Sequence, residues 1–375
     1  IPIDREEGPI APSPPVEAYE DEGGVATEKS PERPKPQLIV SNPEKPKPDR
    51  KRQEGQAAWT SLPKNQWMRD HEWIWKDEDS LKPSSLRNLQ LMIEFHPDLK
   101  GMFSYNVFAD QVIVNRGLPD DTRDDYPREL RDQDATAVAA WMNWHGLTPA
   151  IGTTRDVIAE VAFRMAFDPL LDWVNSLRWD GKPRIDTWLT YYAGADDSEY
   201  VRLVGRKFLI SAIARAMQPG SKVDTMLVLE GPQGLKKSTL VRVLAGSEWF
   251  SDQVGDVTNK DASQMIQGIW IMEIPEMDKF SRAESNAVKD CFARLFERYR
   301  PPYGHNAIKR ERRTGFFGTI NPDGVGYLKD TTGNRRYWPV TVRAIDLDGI
   351  REDREQLWAE ARAAYEAKES WWVDD

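Results

Sequence analysis

The sequence has a single cysteine, only four histidines and no long apolar run. Cys291 alone excludes an internal disulfide and a cysteine-cluster zinc site. No stretch approaches the roughly 18 consecutive apolar residues that a membrane-spanning helix needs. The first residues, Ile1-Pro-Ile-Asp-Arg-Glu-Glu7, lack the apolar centre of a signal peptide. A cytosolic protein with no membrane partner is expected. The chain starts at Ile1 and not at Met, from which we expect a longer parent. Positive charge is also short overall: the net charge is -10, which argues against a whole surface devoted to nucleic acid but leaves room for a local basic patch.

Residues 1–55 are nearly devoid of aromatics and hold 11 of the 26 prolines. Such a segment cannot bury enough apolar surface to offset the entropy of ordering it, so a disordered, extended tail or linker is expected. The rest of the chain has room for about two domains. Residues 56–222 read as a mostly helical domain. Helices are expected over Ser84–Phe95, Asp134–Trp144, Thr154–Phe167 and Tyr200–Met217, with strand and turn at Phe103–Val114. The tryptophans between Pro169 and Leu189 stand at helical spacing beside leucines and read as core.

From 223 to 375 the pattern becomes strand, glycine loop, helix. Strands are expected at Thr225–Glu230, Ile269–Ile274, Gly315–Ile320 and Tyr337–Val342. Helices are expected at Ser238–Ala245, at Ser281–Phe296 with a Ser281/Glu284 capping box, and at 348–367. Interleaved strands and helices indicate an α/β fold with a parallel sheet.

The loop Gly231-Pro-Gln-Gly-Leu-Lys-Lys-Ser-Thr239 nearly fits the phosphate-binding pattern of glycine, four residues, glycine, lysine, serine or threonine. Gly231, Pro232, Gln233, Gly234, Leu235, Lys236, Lys237, Ser238 and Thr239 are the expected nucleotide contacts. The one miss is Lys236, where glycine belongs. Lys237 is in register for the β- and γ-phosphates of ATP. Ser238 is placed to ligate Mg²⁺, with Thr239 a weaker candidate.

About 30 residues on, an apolar strand runs into acids at Glu273, Glu276 and Asp278. In ATPases of this kind a carboxylate at a strand end holds the metal and another activates water. Glu276, set at the strand tip by Pro275, is the first choice for metal or water; Glu273 and Asp278 support it. Asn321 closes the third strand and could face the γ-phosphate. Arg335 and Arg336 are candidate arginine fingers, although as an isolated pair they would read as surface charge. Residues 294–313 carry seven Lys/Arg against two Glu, with tyrosines interleaved and a Pro-Pro-Tyr-Gly turn. A solvated face and a single-stranded nucleic-acid surface both remain open for this stretch.

Five segments together resemble the virulence-associated protein E family: Leu177–Leu189, Leu229–Gly234, Trp270–Glu276, Asp290–Tyr303 and Gly333–Val340. The resemblance implies a P-loop ATPase core related to superfamily 3 helicases of the AAA+ class. It implies an ATP-driven helicase or replication initiator of a phage or mobile element. Relatives act as homo-oligomers, as hexameric rings on single-stranded or forked DNA, often with a primase domain or partner. On that analogy Lys237 and Ser238 bind ATP·Mg²⁺, Glu276 fills the acidic motif and Asn321 the sensor position. Arg335 or Arg336 would reach a neighbouring subunit's nucleotide. Arg300, His305, Lys309, Arg310, Arg312 and Arg313 would contact DNA. Lys236 departs from the family's glycine and favours a rival reading, a nucleotide-dependent switch that does not unwind DNA. A second rival, a small-molecule phosphotransferase, is disfavoured by the arginine pair and the basic stretch.

Overall fold

A computed structural model describes residues 66–69, 71–77, 80–253, 262–277, 287–291, 293–301, 306–321 and 334–373. The expected tail (1–55), the Ser281/Glu284 box, Asp278 and His305 lie outside the described residues.

The first lobe is smaller. Helix α1 (Leu86–Phe95) starts at Ser85, whose side chain accepts from Asn88 N. Two further helices follow, α2 (Asp132–Trp144) and α3 (Ile151–Arg164), and α3 packs against α1, against α2 and over a short sheet. That sheet consists of β1 (Phe103–Asn106), β2 (Gln111–Val114), β3 (Arg128–Glu129) and β4 (Ala166–Phe167), in the order β3-β2-β1-β4. Leu89, Met92, Ile93, Phe103, Val138, Met142 and Ile158 fill the core between helices and sheet.

The second lobe is built on a five-stranded sheet. Its strands are β5 (Met226–Glu230), β6 (Phe250–Ser251), β7 (Ile271–Ile274), β10 (Gly315–Ile320) and β11 (Tyr337–Thr341). All neighbouring pairs are parallel, in the order β11-β5-β10-β7-β6. Because successive strand side chains point to opposite faces, the strands feed two cores. Leu227, Leu229, Ile271, Phe317 and Trp338 enter one, and Met226, Val228, Met272, Phe316 and Tyr337 the other. A separate hairpin, β8 (Phe296–Tyr299) with β9 (Ile308–Glu311), pairs antiparallel, Arg298 opposite Lys309.

Three expectations need correction. First, the boundary at 222 does not separate two cores. Helices α4 (Pro169–Ser176), α5 (Trp188–Ala193) and α6 (Glu199–Met217) pack Leu170, Val174, Trp188, Phe208 and Ile213 into the same cluster as the parallel sheet. Periodicity reveals which face of a helix is apolar but not what covers it. Helix α6 shows why: 13 of its 19 residues are buried, so its apolar pattern runs round the helix. Second, Phe296 opens a strand and does not close a helix. Third, the strand and turn expected at Phe103–Val114 belong to a larger, four-stranded sheet, although helices predominate over the described part of 56–222 as expected. The expected core role of the tryptophans holds for Trp188, which is 1% exposed, whereas Trp179 is 41% exposed.

The last helix, α8 (Leu347–Glu366), lies against α6 and against α7 (Lys237–Ala245), the helix after the glycine loop. Arg354 donates to the carbonyls of Leu244 (3.0 Å) and Ala245 (2.8 Å) at the C-terminus of α7. A cation there satisfies orphan carbonyls and complements the helix dipole. Among the described residues no helix is long and apolar enough to cross a membrane.

Candidate functional site

Strand β5 is apolar and buried until Glu230, and the chain then turns at Gly231. A Cβ on Gly231 would stand 2.8 Å from the carbonyl oxygen of Val342, so only glycine lets the loop leave the sheet here. Gly234 has φ +82°. Lys236 is left-handed, at φ 66° and ψ 30°, immediately before α7, and no side chain caps that helix. The positive end of the helix dipole and the first-turn N–H groups face the loop without a cap from the Lys236 side chain.

Lys237 is the first helical residue and its side chain is buried. Its ammonium donates to Gly231 O (2.6 Å), Pro232 O (3.0 Å) and Asn321 Oδ1 (2.9 Å). Ser238 donates its hydroxyl to Glu273 Oε1 at 2.7 Å, and Thr319 donates to the same oxygen at 2.7 Å. Glu273 is fully buried, and its Oε2 has no hydrogen-bond partner. A buried carboxylate with an idle oxygen is costly unless a ligand completes it. Lys237, Ser238, Glu273, Thr319 and Asn321 therefore converge at the C-terminal edge of the parallel sheet, the edge at which α/β sheets hold ligands.

The strand-tip position favours Glu276 as the metal-proximal acid, but the structure puts Glu273 against Ser238. Glu276 is exposed beyond Pro275, with φ 50°. The reason is topological. β10 lies between β5 and β7, and its register sets Gly318 opposite both Val228 and Ile274. Glu273, just before the last residue of β7, projects under the loop to Ser238, while Glu276 lies two residues past the strand end and is exposed. Thr319 was not anticipated, although a hydroxyl inside the otherwise apolar run Gly315–Ile320 was the available signal. Pro232, Gln233, Gly234, Lys236 and Thr239 lie along the loop and the start of α7, all five exposed, and Leu235 packs against the larger core.

Arg335 and Arg336 end a 3-10 turn, Asn334–Arg336, before β11. Tyr337 pairs with Met226 and Thr341 with Glu230, so the arginines sit at the edge of the sheet opposite the glycine loop. The length of the strand, about 16 Å at ~3.3 Å per residue, intervenes. With Tyr200, Trp338, Trp371 and Trp372 they line a cleft of about 670 Å³. The Nε of Arg336 is buried there with no hydrogen-bond partner.

The basic stretch is less free than its charge suggested. Arg312 is 2% exposed and pairs with Glu297, which removes it from any outer surface. Arg310 pairs with Asp110, and Arg313 with Asp168. Lys309 is exposed, its Nζ 4.4 Å from the centre of the Phe296 ring, and Arg300 is exposed. These two keep the expected accessibility; Arg310, Arg312 and Arg313 do not in this arrangement. Arg215, on the last turn of α6, braces the hairpin base, donating to Arg312 O (3.3 Å) and Val223 O (3.1 Å). Burial draws its pKa down to about 9.

Chemically, the loop edge offers an ammonium and uncapped N–H groups to an anion, and a hydroxyl–carboxylate pair to a hard cation. No group of three or more His, Cys, Asp or Glu among the described residues could hold a metal unaided. A family model for the virulence-associated protein E-like domain matches residues 174–375. The chain belongs to the virulence-associated protein E-like family. The match begins within α4, in agreement with a second lobe that starts well before residue 222. No curated protein matches the chain. Among solved structures, the A-form apo structure of the NrS-1 C-terminal region aligns with a TM-score of 0.43 at 10% identity, covering 75% of this chain and 69% of that one. Another apo structure of the same region gives 0.40 at 11% identity, covering 68% and 65%.

Proposed function

We propose that this virulence-associated protein E-like chain is an ATPase that works on DNA, as a helicase or replication initiator of a phage or mobile element. The observation that carries the proposal is the convergence of Lys237, Ser238, Glu273 and Asn321 beneath an uncapped helix N-terminus. Family membership supports it.

The residues fit ATP and Mg²⁺. Mg²⁺ is characteristically held by one or two protein oxygens together with phosphate oxygens. Ser238 Oγ and the idle Oε2 of Glu273 match that need. When bound, Mg²⁺ would neutralise charge on the phosphates. Lys237 would exchange its carbonyl partners for phosphate oxygens while Asn321 holds its direction. Glu276, exposed at the same edge, is the proposed acceptor of the proton from attacking water. Arg335 and Arg336 cannot serve their own chain's site across the sheet, so the proposed finger acts on a neighbouring copy, which requires a homo-oligomer. Single-stranded or forked DNA is the proposed substrate, with Arg300 and Lys309 on the hairpin as contacts. A primase domain or partner remains a proposal of the same family analogy.

The test is ATP hydrolysis by the wild-type and Lys237→Ala chains, with and without single-stranded DNA. DNA-stimulated hydrolysis lost in the variant supports the proposal; equal rates in the two chains overturn the site. The rival, a nucleotide-dependent switch, is favoured by the left-handed Lys236 and by the engaged Lys237 side chain. It would bind ATP with no DNA stimulation and no strand displacement.

A further inference from the structure

Arg310 in β9 and Arg313 just beyond it were expected to contact DNA, yet two carboxylates hold them. Arg310 pairs with Asp110, in the tight turn between β1 and β2 of the first lobe. Asp110 is 8% exposed and also accepts from the hydroxyls of Tyr105 and, at 2.5 Å, Tyr299 of β8. Arg313, two residues beyond β9, pairs with Asp168, the residue that links β4 to α4, and lies 4.8 Å over the ring of Phe108. Both strands of the hairpin are thereby fastened to the lobe that precedes the family domain.

The fastening is incomplete. Arg310 and Arg313 each keep a buried Nε with no hydrogen-bond partner. A carboxylate has two acceptor oxygens, and Asp110 shares its pair among two tyrosines and an arginine. A phosphodiester offers the same negative charge in the same fork geometry. An unpaired buried polar group is costly, so a partner that completes the network is favoured over one that leaves it partly satisfied.

We infer that Asp110 and Asp168 stand in for nucleic-acid phosphates, so that the first lobe and single-stranded DNA compete for Arg310 and Arg313. This rests on the DNA-binding reading above. The docked hairpin is then a resting arrangement, with the exposed Arg300 and Lys309 making first contact. Strand entry would transfer two further cations from carboxylate to phosphate and free the hairpin from the first lobe.

The test uses the full chain carrying Asp110→Asn and Asp168→Asn together. Asparagine suits both backbones: Asp110 has φ 58°, which asparagine tolerates, and Asp168 caps α4 through Leu171 N, which asparagine also does. Binding of a fluorescent oligothymidylate is measured against salt, and amide hydrogen exchange is followed over Phe296–Tyr299 and Ile308–Glu311. Competition predicts affinity tighter by about fivefold or more at 0.1 M salt, with the salt slope steeper by about 1.4, or 0.7 for each added phosphate contact. Exchange over the hairpin should rise and basal ATP hydrolysis should hold. Adding Arg310→Ala and Arg313→Ala should erase the gain. If wild type binds DNA and the double variant binds no tighter, the competition is overturned while the DNA reading stands. If neither chain binds DNA at low salt, both fall.

Discussion

The Nζ of Lys237 lies 2.9 Å from Oδ1 of Asn321, a residue 84 positions away in the sequence. The lysine that opens the loop helix is therefore aimed by the tip of β10. The acid strand β7 reaches the same place one strand further on, with Glu273 under Ser238.

Glu273 and Glu276 should separate by their defects. Glu273→Gln is expected to weaken Mg²⁺-dependent nucleotide binding and slow turnover by about a hundredfold or more. It should not lower the unfolding midpoint, because it removes a buried charge with an idle oxygen. Glu276→Gln is expected to slow turnover with binding intact. Fluorescent-nucleotide titration with and without Mg²⁺ checks both, and intact Mg²⁺-dependent binding in Glu273→Gln would contradict the assignment.

Lys236 pays for its left-handed backbone. For a residue with a Cβ that conformation costs about 1–2 kcal/mol, of which glycine's greater unfolded-state entropy returns part. Lys236→Gly is therefore expected to stabilise the chain by up to about 1 kcal/mol, or about 2–4 °C in Tm. Nucleotide affinity should fall a few-fold in Lys236→Gly and Lys236→Ala alike, through the lost charge. Thermal unfolding of the two variants separates backbone from charge, since alanine should bring no stabilisation.

Placement of Arg336 across the sheet from the loop predicts complementation. Lys237→Ala and Arg336→Ala chains are each expected to be inactive alone. Mixed, they should recover part of the activity, because some interfaces would join an intact loop to an intact arginine. A mixture as inactive as its components would argue against action in trans.

His96 predicts an acid sensitivity of the first lobe. Its Nδ1 accepts from Asp98 N at 3.1 Å, and its ring meets Trp141 edge-on at 4.7 Å. Burial, and then the neighbouring His145, lower its pKa from 6.5 to about 4. The unfolded chain takes up a proton near pH 6.5 while the folded chain refuses it until about pH 4. The neutral ring's contribution is thus complete above pH 6.5 and is lost as pH falls toward 4, on the order of 3 kcal/mol in all. Urea unfolding at pH 7 and pH 5 should show this loss, diminished in His96→Phe.

Most elements of the second lobe were legible because their patterns are local: an apolar strand, a glycine turn, a helix. Glu273 and Arg310 were not legible in the same way. An acid within an apolar strand announces that something is at stake, but only the strand order shows that it meets Ser238. A run of arginines announces charge, yet Asp110 and Asp168, which occupy two of them, lie 200 and 145 positions away. Helix α6 misled for the opposite reason, since burial on all sides erases the stripe that would have tied it to the sheet.

Because β10 is threaded between β5 and β7, the loop, the acid and the asparagine become neighbours only after the chain has closed an excursion of 84 residues. Closing a loop that long costs entropy, though each doubling adds only about 0.6 kcal/mol. A ligand that touches all three strands at once would act as a clasp on that closure. Its binding energy would then count toward the cohesion of the whole sheet, by the same linkage that makes any native-state ligand raise a melting temperature.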